Sequence, residues 1–297
     1  MNKKLKAVCF GEILFDVFLE HKKIGGAPLN VASRIKSLGG DVSIISAVGS
    51  NSNGRELIAY IKDLGINTKT IEIKNEYPTG MVNVILNEKG NASYDIHYPS
   101  AWDKIEPSVT NTSIVEEADF FIYGSLASRD AVSRNTLKQL LEVANYKIFD
   151  VNLRVPHYTQ KTLIDLMNDA NFIKFNDDEL FEIAGYLKSM HKSLEQNIKF
   201  IAKETDTDAI CVTLGSHGAV LYWENKFYYN CGFKVKVIDT VGSGDSFLAS
   251  LVVNLSDKKD PQYALNFACA VGAIVAQYEG ANPTIHQSEI DAFLNGF

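Results

Sequence analysis

The stretch VKVIDTVGSGDSFLAS, residues 235–250, carries the strongest structural signal in the chain. Its first four residues predict a strand over 235–238, and the apolar run that ends the stretch predicts a helix over 245–255. Between them the Gly-Ser-Gly segment, residues 242–244, predicts a turn that opens the helix with free backbone N–H groups and the positive end of the helix dipole. Such a turn is suited to bind an anion, and in particular the oxygens of a phosphate group during transfer.

Two carboxylates flank this turn, and each is open to more than one interpretation. An Asp at a helix start, such as Asp245, commonly serves only as an N-cap. Beside an anion site, however, a carboxylate repels phosphate, and it is useful there if it takes the proton from a hydroxyl that attacks that phosphate. Asp239, at the end of the predicted strand, either caps the turn or orients Mg²⁺ or a monovalent cation. The glycine spacing fits neither a Walker A loop nor a dinucleotide fingerprint.

Outside this stretch, apolar runs bounded by turn residues alternate with amphipathic segments. The amphipathic segments predict helices over 54–64, 133–145 and 194–204. The apolar runs predict strands over 7–10, 42–48, 120–123, 147–151, 172–175 and 209–214. Strands that alternate with helices are joined by crossovers and lie parallel, so we expect an α/β sheet covered by helices on both faces.

Three further segments break this alternation. Residues 79–98 predict a hairpin with its turn at 87–90, and residues 13–20 predict another extended stretch. These strands form either a small separate sheet, such as a lid, or an ordinary edge hairpin. Residues 219–229 predict a hairpin that extends the main sheet in the antiparallel sense. Because no internal repeat or linker is present, we expect a single domain over 1–297, with lid strands inserted at about 13–24 and 79–98.

Composition excludes several classes of protein. Of 297 residues, 46% are hydrophobic and 22% charged, which excludes a disordered or fibrous chain. The formal net charge of −7 argues against non-specific binding to nucleic acid or to an anionic membrane. No apolar run approaches the ~18 residues of a membrane span, and the first residues do not resemble a signal peptide, so we expect a cytoplasmic protein. None of the four cysteines is spaced for metal binding, and we expect all four to be buried, reduced thiols.

The segment DTVGSGD, residues 239–245, resembles the C-terminal signature of the ribokinase-like (PfkB) sugar kinases, with Ser243 where alanine is usual. Other segments resemble further family motifs, and they occur in the family's order over nearly the whole chain. They are GEILFD (11–16), GGAPLNVA (25–32), DVNLRVP (150–156), NDDE (176–179) and TLGSHG (213–218). The first and third of these favour the fructokinase-like members.

The resemblance implies both a fold and a reaction. The fold is a ribokinase-like three-layer sandwich, in which helices flank a mostly parallel central sheet and a small β-sheet forms a lid over the sugar. The reaction is transfer of the γ-phosphate of MgATP to a hydroxyl of a small sugar. By the same resemblance Asp245 is the catalytic base, and the backbone amides of Gly242, Ser243 and Gly244 form the anion hole.

The resemblance also assigns binding roles to named residues. The sugar contacts are Asp16, Gly26, Asn30, Arg154 and Asp245. The nucleotide contacts are Asn176, Thr213, Gly215, Gly218, Gly242 and Gly244. The metal contacts are Glu179, for Mg²⁺ through water, and Asp239, Val241 and the loop around 280–282, for a monovalent cation such as K⁺. Local alternatives stay open: a solvated strand residue for Asp16, a tight turn and helix cap for 25–30, a surface ion pair for Arg154, and a plain helix start for 176–179.

The substrate expected from these motifs is D-fructose, phosphorylated to fructose 6-phosphate, although the sequence does not separate the 6-hydroxyl from the 1-hydroxyl. The alternatives within the class are 2-keto-3-deoxygluconate, ribose and a nucleoside. A different class is a non-catalytic sugar-binding regulator, but a relic of that kind is expected to have lost Asp245 or the glycines of the turn. The apolar residues Val82, Val84 and Leu86 of the hairpin favour a homodimer formed through the lid.

Overall fold

The computed structural model describes residues 4–86, 92–207 and 209–295. Its strands are β1 Lys6–Phe10, β2 Leu14–Val17, β3 Lys22–Gly25, β4 Asp41–Gly49, β5 Ile71–Lys74, β6 Gly80–Leu86, β7 Ala92–Ile96, β8 Phe120–Gly124, β9 Lys147–Asp150, β10 Phe172–Asn176, β11 Ala209–Thr213, β12 Ala219–Trp223 and β13 Lys226–Asn230. Its helices are α1 Ala27–Ser37, α2 Ser52–Asp63, α3 Val109–Glu117, α4 Ala131–Val143, α5 Gln160–Asn168, α6 Asp177–Tyr186, α7 Leu194–Glu204, α8 Ser243–Ser256, α9 Pro261–Val275 and α10 Gln287–Leu294.

Nine strands form the main sheet, in the order β13-β12-β11-β10-β9-β8-β1-β4-β5. All neighbouring pairs are parallel except β11–β12 and β12–β13, which are antiparallel. The last two strands are the hairpin predicted at 219–229. The mostly parallel sheet with helices on its faces confirms the predicted fold class.

Strand β1 shows why the apolar runs are continuous rather than alternating. Ala7 and Cys9 pack into the core on one face of the sheet, together with residues of α1, α8 and α9. Val8 and Phe10 pack into the core on the other face, together with residues of α4 to α7. A strand covered on both faces needs apolar side chains at every position, so its pattern loses the period of two.

The order of the strands places the functional site at the end of β1. From β1 the chain builds the sheet outward through β4 and β5, and it then returns to the other side of β1 to add β8, β9 and β10. The strand order therefore reverses between β1 and β8. In open α/β sheets the crevice at such a reversal, beyond the carboxyl ends of the strands, is where ligands bind.

A second sheet has the order β3-β2-β6-β7 and contains the strands predicted outside the main layer. The turn predicted at 87–90 lies outside the described residues. Val82 packs against Trp102 and Leu126 of the main body, so this part of the hairpin's apolar face is covered within the chain. Val84 is half-buried, and its cross-strand partner Tyr94 is 50% exposed, so apolar surface remains toward the tip of the sheet.

The strand predicted over 235–238 is wrong. Residues 231–242 are irregular, and Val237 and Ile238 are more than half exposed. The backbone N–H groups of Ile238 and Asp239 donate to the carbonyl of Ala276, just after α9, rather than to a neighbouring strand. The alternation of apolar residues was real, but β13 is the last strand of the main sheet and this segment turns away from it. In the described part of the chain no helix is both long and apolar enough to cross a membrane.

Candidate active site

The glycine-rich turn has the conformation that its sequence demands. Gly242 precedes α8 with φ of 76°, a left-handed conformation that favours glycine, and a Cβ there would lie 2.6 Å from the Cα of Ala281. Gly242 has no side chain with which to cap α8. The N–H of Ser243 donates to the carbonyl of Thr240 at 3.2 Å, so the N–H groups that follow it, of Gly244 and Asp245, are the donors that this first turn offers to an anion. Ser243 turns its hydroxyl away from that space and donates to the carbonyl of Gly272 at 2.8 Å.

Asp245 is the third residue of α8 and is not its N-cap, a position held by Gly242. Its Oδ2 accepts from Nδ2 of Asn30 at 2.8 Å. Burial raises the pKa of Asp245 to about 6, with a further upward contribution from Asp150. The hydrogen bond from Asn30 and the positive charges of one Lys and one Arg side chain oppose that rise in pKa. A carboxylate with this pKa is ionised at neutral pH but binds a proton readily, which suits a general base.

A buried ion pair that the sequence analysis did not assign to the site lies beside this turn. Lys174, on β10, is 7% exposed, and its Nζ donates to Oδ1 of Asp150 at 3.0 Å. The ammonium also borders the anion site, because a Cβ on Gly244 would lie only 3.4 Å from Nζ. Burial lowers the pKa of Lys174, but the carboxylates of Asp150, Glu179 and Asp245 outweigh it and raise the pKa above its ordinary value. Lys174 is therefore a fixed positive charge at the anion site.

Asn176 and Glu179 form the start of α6 in the way their local pattern predicted. The side chain of Asn176 accepts from the N–H of Glu179, and Glu179 accepts from the N–H of Asn176, each at 2.8 Å. The other oxygen of Glu179 accepts from the N–H of Leu153 at 2.8 Å. Burial raises the pKa of Glu179, and Lys174 opposes that rise. The pair is a capping box that also joins α6 to the loop after β9.

A cavity of about 760 Å³ opens beside Lys174 and the first turn of α8. The structure brings to it Asn176, Thr213, Gly215, Gly218, Ser243 and Gly244, which are all predicted nucleotide or anion contacts. The irregular segment 231–240 forms its apolar wall, with Phe233, Val235 and Val237 facing the main body. Cys231 is exposed in this wall, so the expectation that all four cysteines are buried is wrong for it. Long apolar walls with a few polar groups at one end are typical of a nucleotide pocket.

The predicted sugar contacts outside α8 lie on β2, at the start of α1 and on the loop after β9. Asp16 lies on β2 of the small sheet, and Gly25 approaches it so closely that a Cβ there would lie 2.5 Å from Oδ2 of Asp16. Burial raises the pKa of Asp16 to about 6, while Arg154 lowers it. Arg154 is exposed, donates to the carbonyl of Leu153 at 2.9 Å, and also lowers the pKa of Asp245. Arg154 therefore acts electrostatically on both carboxylates, Asp16 and Asp245.

Gly26 and Asn30 begin α1 at the same place. Gly26 has φ of 111°, and a Cβ would lie 2.4 Å from the carbonyl oxygen of Glu12, so only glycine fits. Asn30 is 4% exposed and lies inside the helix, so it is not the helix cap that the alternative interpretation required. Glu12 itself is buried, with Oε2 unpartnered among the described residues, and burial raises its pKa to about 7. Glu12 belongs to the GEILFD motif and had no predicted role.

Asp239 joins two loops. Its Oδ1 accepts from the N–H of Val241 and its Oδ2 from the N–H of Gly280, each at 3.0 Å. It therefore caps the glycine-rich turn and ties it to the loop around 280–282. Lys23 lies 3.8 Å from the same carboxylate and 2.8 Å from Glu279. The backbone of these two loops is the place predicted for a monovalent cation, and that assignment stays a prediction.

A substitution at the turn tests its geometry. Gly242→Ala should lower kcat by about 100-fold, because its Cβ would collide with Ala281 and shift the first turn of α8, which removes aligned anion-binding donors. The matched control is Gly39→Ala, since Gly39 also has a positive φ, of 91°, but has no atom within 4 Å of its Cβ position. Steady-state kinetics on both variants make the comparison. Equal losses in the two would mean that backbone strain alone is responsible.

The comparisons with known proteins identify the family and the fold. The sequence matches the family model described as pfkB family carbohydrate kinase over residues 4–288. It is 28% identical to probable fructokinase-4 of Arabidopsis thaliana, over 99% of this chain and 98% of that protein. It is 29% identical to fructokinase-2 of Solanum lycopersicum, over 94% and 92% of the two chains. A double-mutant fructokinase from Vibrio cholerae O395, with fructose, ADP and a potassium ion bound, superposes with a TM-score of 0.86 at 25% identity over 99% of each chain.

Proposed function

The chain belongs to the pfkB family of carbohydrate kinases, and from that premise we propose that it is a fructokinase that transfers the γ-phosphate of ATP to the 6-hydroxyl of D-fructose. The resemblance found in the motifs is thereby confirmed. The single observation that carries the reaction is the position of Asp245. Its carboxylate is held in the first turn of α8 by the hydrogen bond from Asn30, beside the backbone N–H groups that would bind the phosphate.

ATP would occupy the cavity beside β10, whose lining includes Ser243 and Gly244. Its terminal phosphate would lie against the first turn of α8, where the amides of Gly242, Ser243 and Gly244 are the predicted anion hole. Lys174 adds a positive charge at that point, supplied by a side chain that packing and Asp150 already hold in place. These groups are already in place, so they would stabilise the negative charge that develops on the transferring phosphoryl group without having to reorganise. Thr213, Gly215 and Gly218 would lie along the rest of the nucleotide.

Asp245 would accept the proton of the attacking hydroxyl as its oxygen bonds to the γ-phosphorus, while the bond from the γ-phosphorus to the β–γ bridging oxygen breaks and ADP leaves. Asp16 and Arg154 would hold neighbouring hydroxyls and so orient the attacking one, and orientation of two reactants is itself a large contribution to rate. The small sheet that carries Asp16 would act as a lid and exclude water, which limits hydrolysis of ATP.

Mg²⁺ fits the residues present as an ion bound chiefly by ATP. The described residues contain no cluster of acidic, His or Cys side chains able to hold a metal on their own, and Mg²⁺ commonly keeps several waters and binds through phosphates with one or two carboxylates. Glu179 and Asn176 would hold its waters, and the unpartnered buried Oδ2 of Asp150 is a further oxygen at the same place. When bound, the ion would neutralise charge on the phosphates.

The experiment that tests the proposal is a coupled ADP-release assay with MgATP and a panel of acceptors. The panel holds fructose, 2-keto-3-deoxygluconate, ribose, glucose, mannose, tagatose and adenosine, each with and without K⁺. Fastest turnover on fructose, with the product shown to carry its phosphate at C6, is expected. A higher kcat/KM on another acceptor would identify that acceptor, and not fructose, as the substrate. A rate that rises with K⁺ would support the predicted site for a monovalent cation.

A sugar-binding regulator without catalysis remains the alternative of a different class. All the groups that transfer requires are present in the structure: the carboxylate of Asp245, the turn before α8 and a nucleotide-sized cavity. The regulator would be favoured if calorimetry shows that fructose binds while no acceptor of the panel gives ADP release in the assay.

The pH dependence of turnover follows from the raised pKa of Asp245. A general base works only when deprotonated, so kcat should fall as the pH falls through the pKa, which burial raises to about 6. The negative charge of bound ATP pushes the same pKa upward, so the acid limb of the kcat profile is expected at an apparent pKa of 6 or slightly above. Steady-state kinetics at saturating substrates between pH 5 and 8 measure it. An acid limb near the ordinary value for Asp would contradict the burial argument.

The proposals of a homodimer and of a cytoplasmic location each rest on a single argument. Val84 and Tyr94 leave apolar surface near the tip of the small sheet, which supports a homodimer formed through the lids. Sedimentation that shows only monomer at micromolar concentration would remove that proposal. A cytoplasmic location is supported by the need for ATP.

A further inference from the structure

A chain of two side-chain amides leads from the C-terminal loop to Asp245. Asn282 donates Nδ2–H to Oδ1 of Asn30 at 2.9 Å, and Asn30 donates Nδ2–H to Oδ2 of Asp245 at 2.8 Å. Only Asn30 touches the carboxylate. The family motifs quoted above include Asn30 but not Asn282.

The direction of the first hydrogen bond matters because the two terminal atoms of an Asn amide differ: Oδ1 accepts hydrogen bonds and Nδ2 donates them. If the amide of Asn30 rotated by 180°, its Oδ1 would face the carboxylate of Asp245, and two acceptors would repel each other. The hydrogen bond from Asn282 favours the orientation in which Nδ2 faces Asp245. In the rotated state the two N–H donors of Asn282 and Asn30 would also face each other, so both contacts disfavour rotation.

The environment of Asn282 supports a function for this donor. Its Oδ1 is buried, and its side chain also contacts Tyr60 on α2: burial raises the pKa of Tyr60, and a hydrogen bond with Asn282 opposes that rise. The loop that carries it is held in place at three points. Gly280 donates to Asp239, Ala281 packs against Gly242, and Arg34 donates to the carbonyl of Pro283 at 3.1 Å. A loop held at three points keeps the side chain of Asn282 beside Asn30.

We propose that Asn282 is a positioning residue for the catalytic base, which fixes the amide of Asn30 so that it donates to Asp245. The inference rests on the proposed function, because it takes Asp245 to be the base. It assigns a role in turnover to a residue that reaches Asp245 through another side chain.

The charged groups around Asp245 define what loss of this donor should change. Asp150 on β9 raises the pKa of Asp245, while Lys174 on β10 and Arg154 on the loop after β9 lower it. From β1 and the residues after it, Cys9 and Glu12 face Asp245, and its charge raises the pKa of both. The hydrogen bond from Asn30 lowers the pKa of Asp245. Loss of its alignment should therefore raise that pKa and move the acid limb of kcat to higher pH.

Asn282→Leu removes the donor at similar size and tests the proposal. The expected result is a fall in kcat of about tenfold at neutral pH, and an acid limb displaced upward by about one pH unit. KM for fructose and for ATP should stay within about threefold, since Asn282 lies outside the lining of the cavity and reaches Asp245 through Asn30. Asn282→Asp provides a second variant of the same size, and it should displace the acid limb further because it adds a negative charge near the base. All assays use saturating K⁺, and thermal melting checks that each variant is folded.

A double-mutant cycle separates positioning from a general structural effect. In an Asn30→Ala background no amide remains to be oriented, so adding Asn282→Leu should change kcat by less than about twofold. Equal losses in both backgrounds, or an acid limb that stays where it is in the parent enzyme, would overturn the proposal. If Asp245→Asn itself retains turnover, the base assignment fails first. If that variant is inactive while Asn282→Leu leaves the pH profile unchanged, only the role of Asn282 fails.

Discussion

Asp245→Asn should lower kcat by about 10³- to 10⁴-fold and leave fructose and ATP bound. The amide has almost the same shape, and its oxygen can still accept from Nδ2 of Asn30, which in the parent lies 2.8 Å from the carboxylate. It cannot, however, take a proton from the attacking hydroxyl. The loss should therefore appear in kcat and not in KM, as expected when a group acts only in the transition state. Steady-state kinetics and calorimetric titration with fructose measure the two parts.

The control for this variant lies on the same helix. Asp257 follows the C-terminus of α8 and is exposed, so Asp257→Asn makes the same chemical change far from the turn. It should leave kcat within about twofold of the parent, because isolated surface charges contribute little. Near-normal turnover in Asp245→Asn would show that another group is the base, and Glu12, also buried and with a pKa raised to about 7, would be the next residue to test.

Lys174→Met should reduce both turnover and stability. It removes the fixed cation at the anion site, for which we expect a fall in kcat of about 100-fold or more. It also leaves the buried carboxylate of Asp150 without its partner at 3.0 Å. Breaking a buried pair by removal of one partner typically costs about 3–5 kcal/mol of the free energy of unfolding. Chemical denaturation and steady-state kinetics measure the two effects on the same sample.

The double variant Asp150→Asn/Lys174→Met separates those effects. It removes both charges, so it should recover most of the stability that Lys174→Met loses, yet kcat should remain low because the cation is still missing. Lys161→Met is the matched control, since Lys161 pairs with Asp165 on the surface and its loss should change stability by less than about 1 kcal/mol. Recovery of turnover together with stability would mean that Lys174 serves only to neutralise Asp150.

Much of the fold was predictable because local patterns and the tertiary structure agreed. Helix α7 occupies the predicted residues 194–204, since its apolar positions recur with the helical period and Ser193 caps it. Strands β1, β4 and β8 were predicted as continuous apolar runs, which a sheet covered on both faces requires. The strand predicted over 235–238 was wrong because alternating apolar residues form a strand only beside a neighbouring strand with which they can hydrogen bond. Here the backbone N–H groups donate to the carbonyl of Ala276 instead.

Part of the candidate site could also be predicted from the sequence. The glycines around Asp245 stand out because backbone that approaches other backbone closely, as at Gly242 and Gly26, tolerates no Cβ. Lys174 was missed although a signal existed: a lone charge in the apolar strand Phe172–Asn176 needs a buried partner. Its partner Asp150 was 24 residues away in a different motif, and nothing in the spacing joins the two.

By itself the sequence determined the family, the alternation of the sheet and the positions where only glycine fits, because each depends on residues close together in the chain. Only the tertiary structure decided which distant groups meet. Asn30, Asp245 and Asn282 are separated by more than 200 residues at the extremes and yet share two hydrogen bonds. The packing of α1 against α8 and the loop after α9 brings them together. Hydrogen-bond direction, burial and the resulting pKa depend on distances that a linear spacing does not contain.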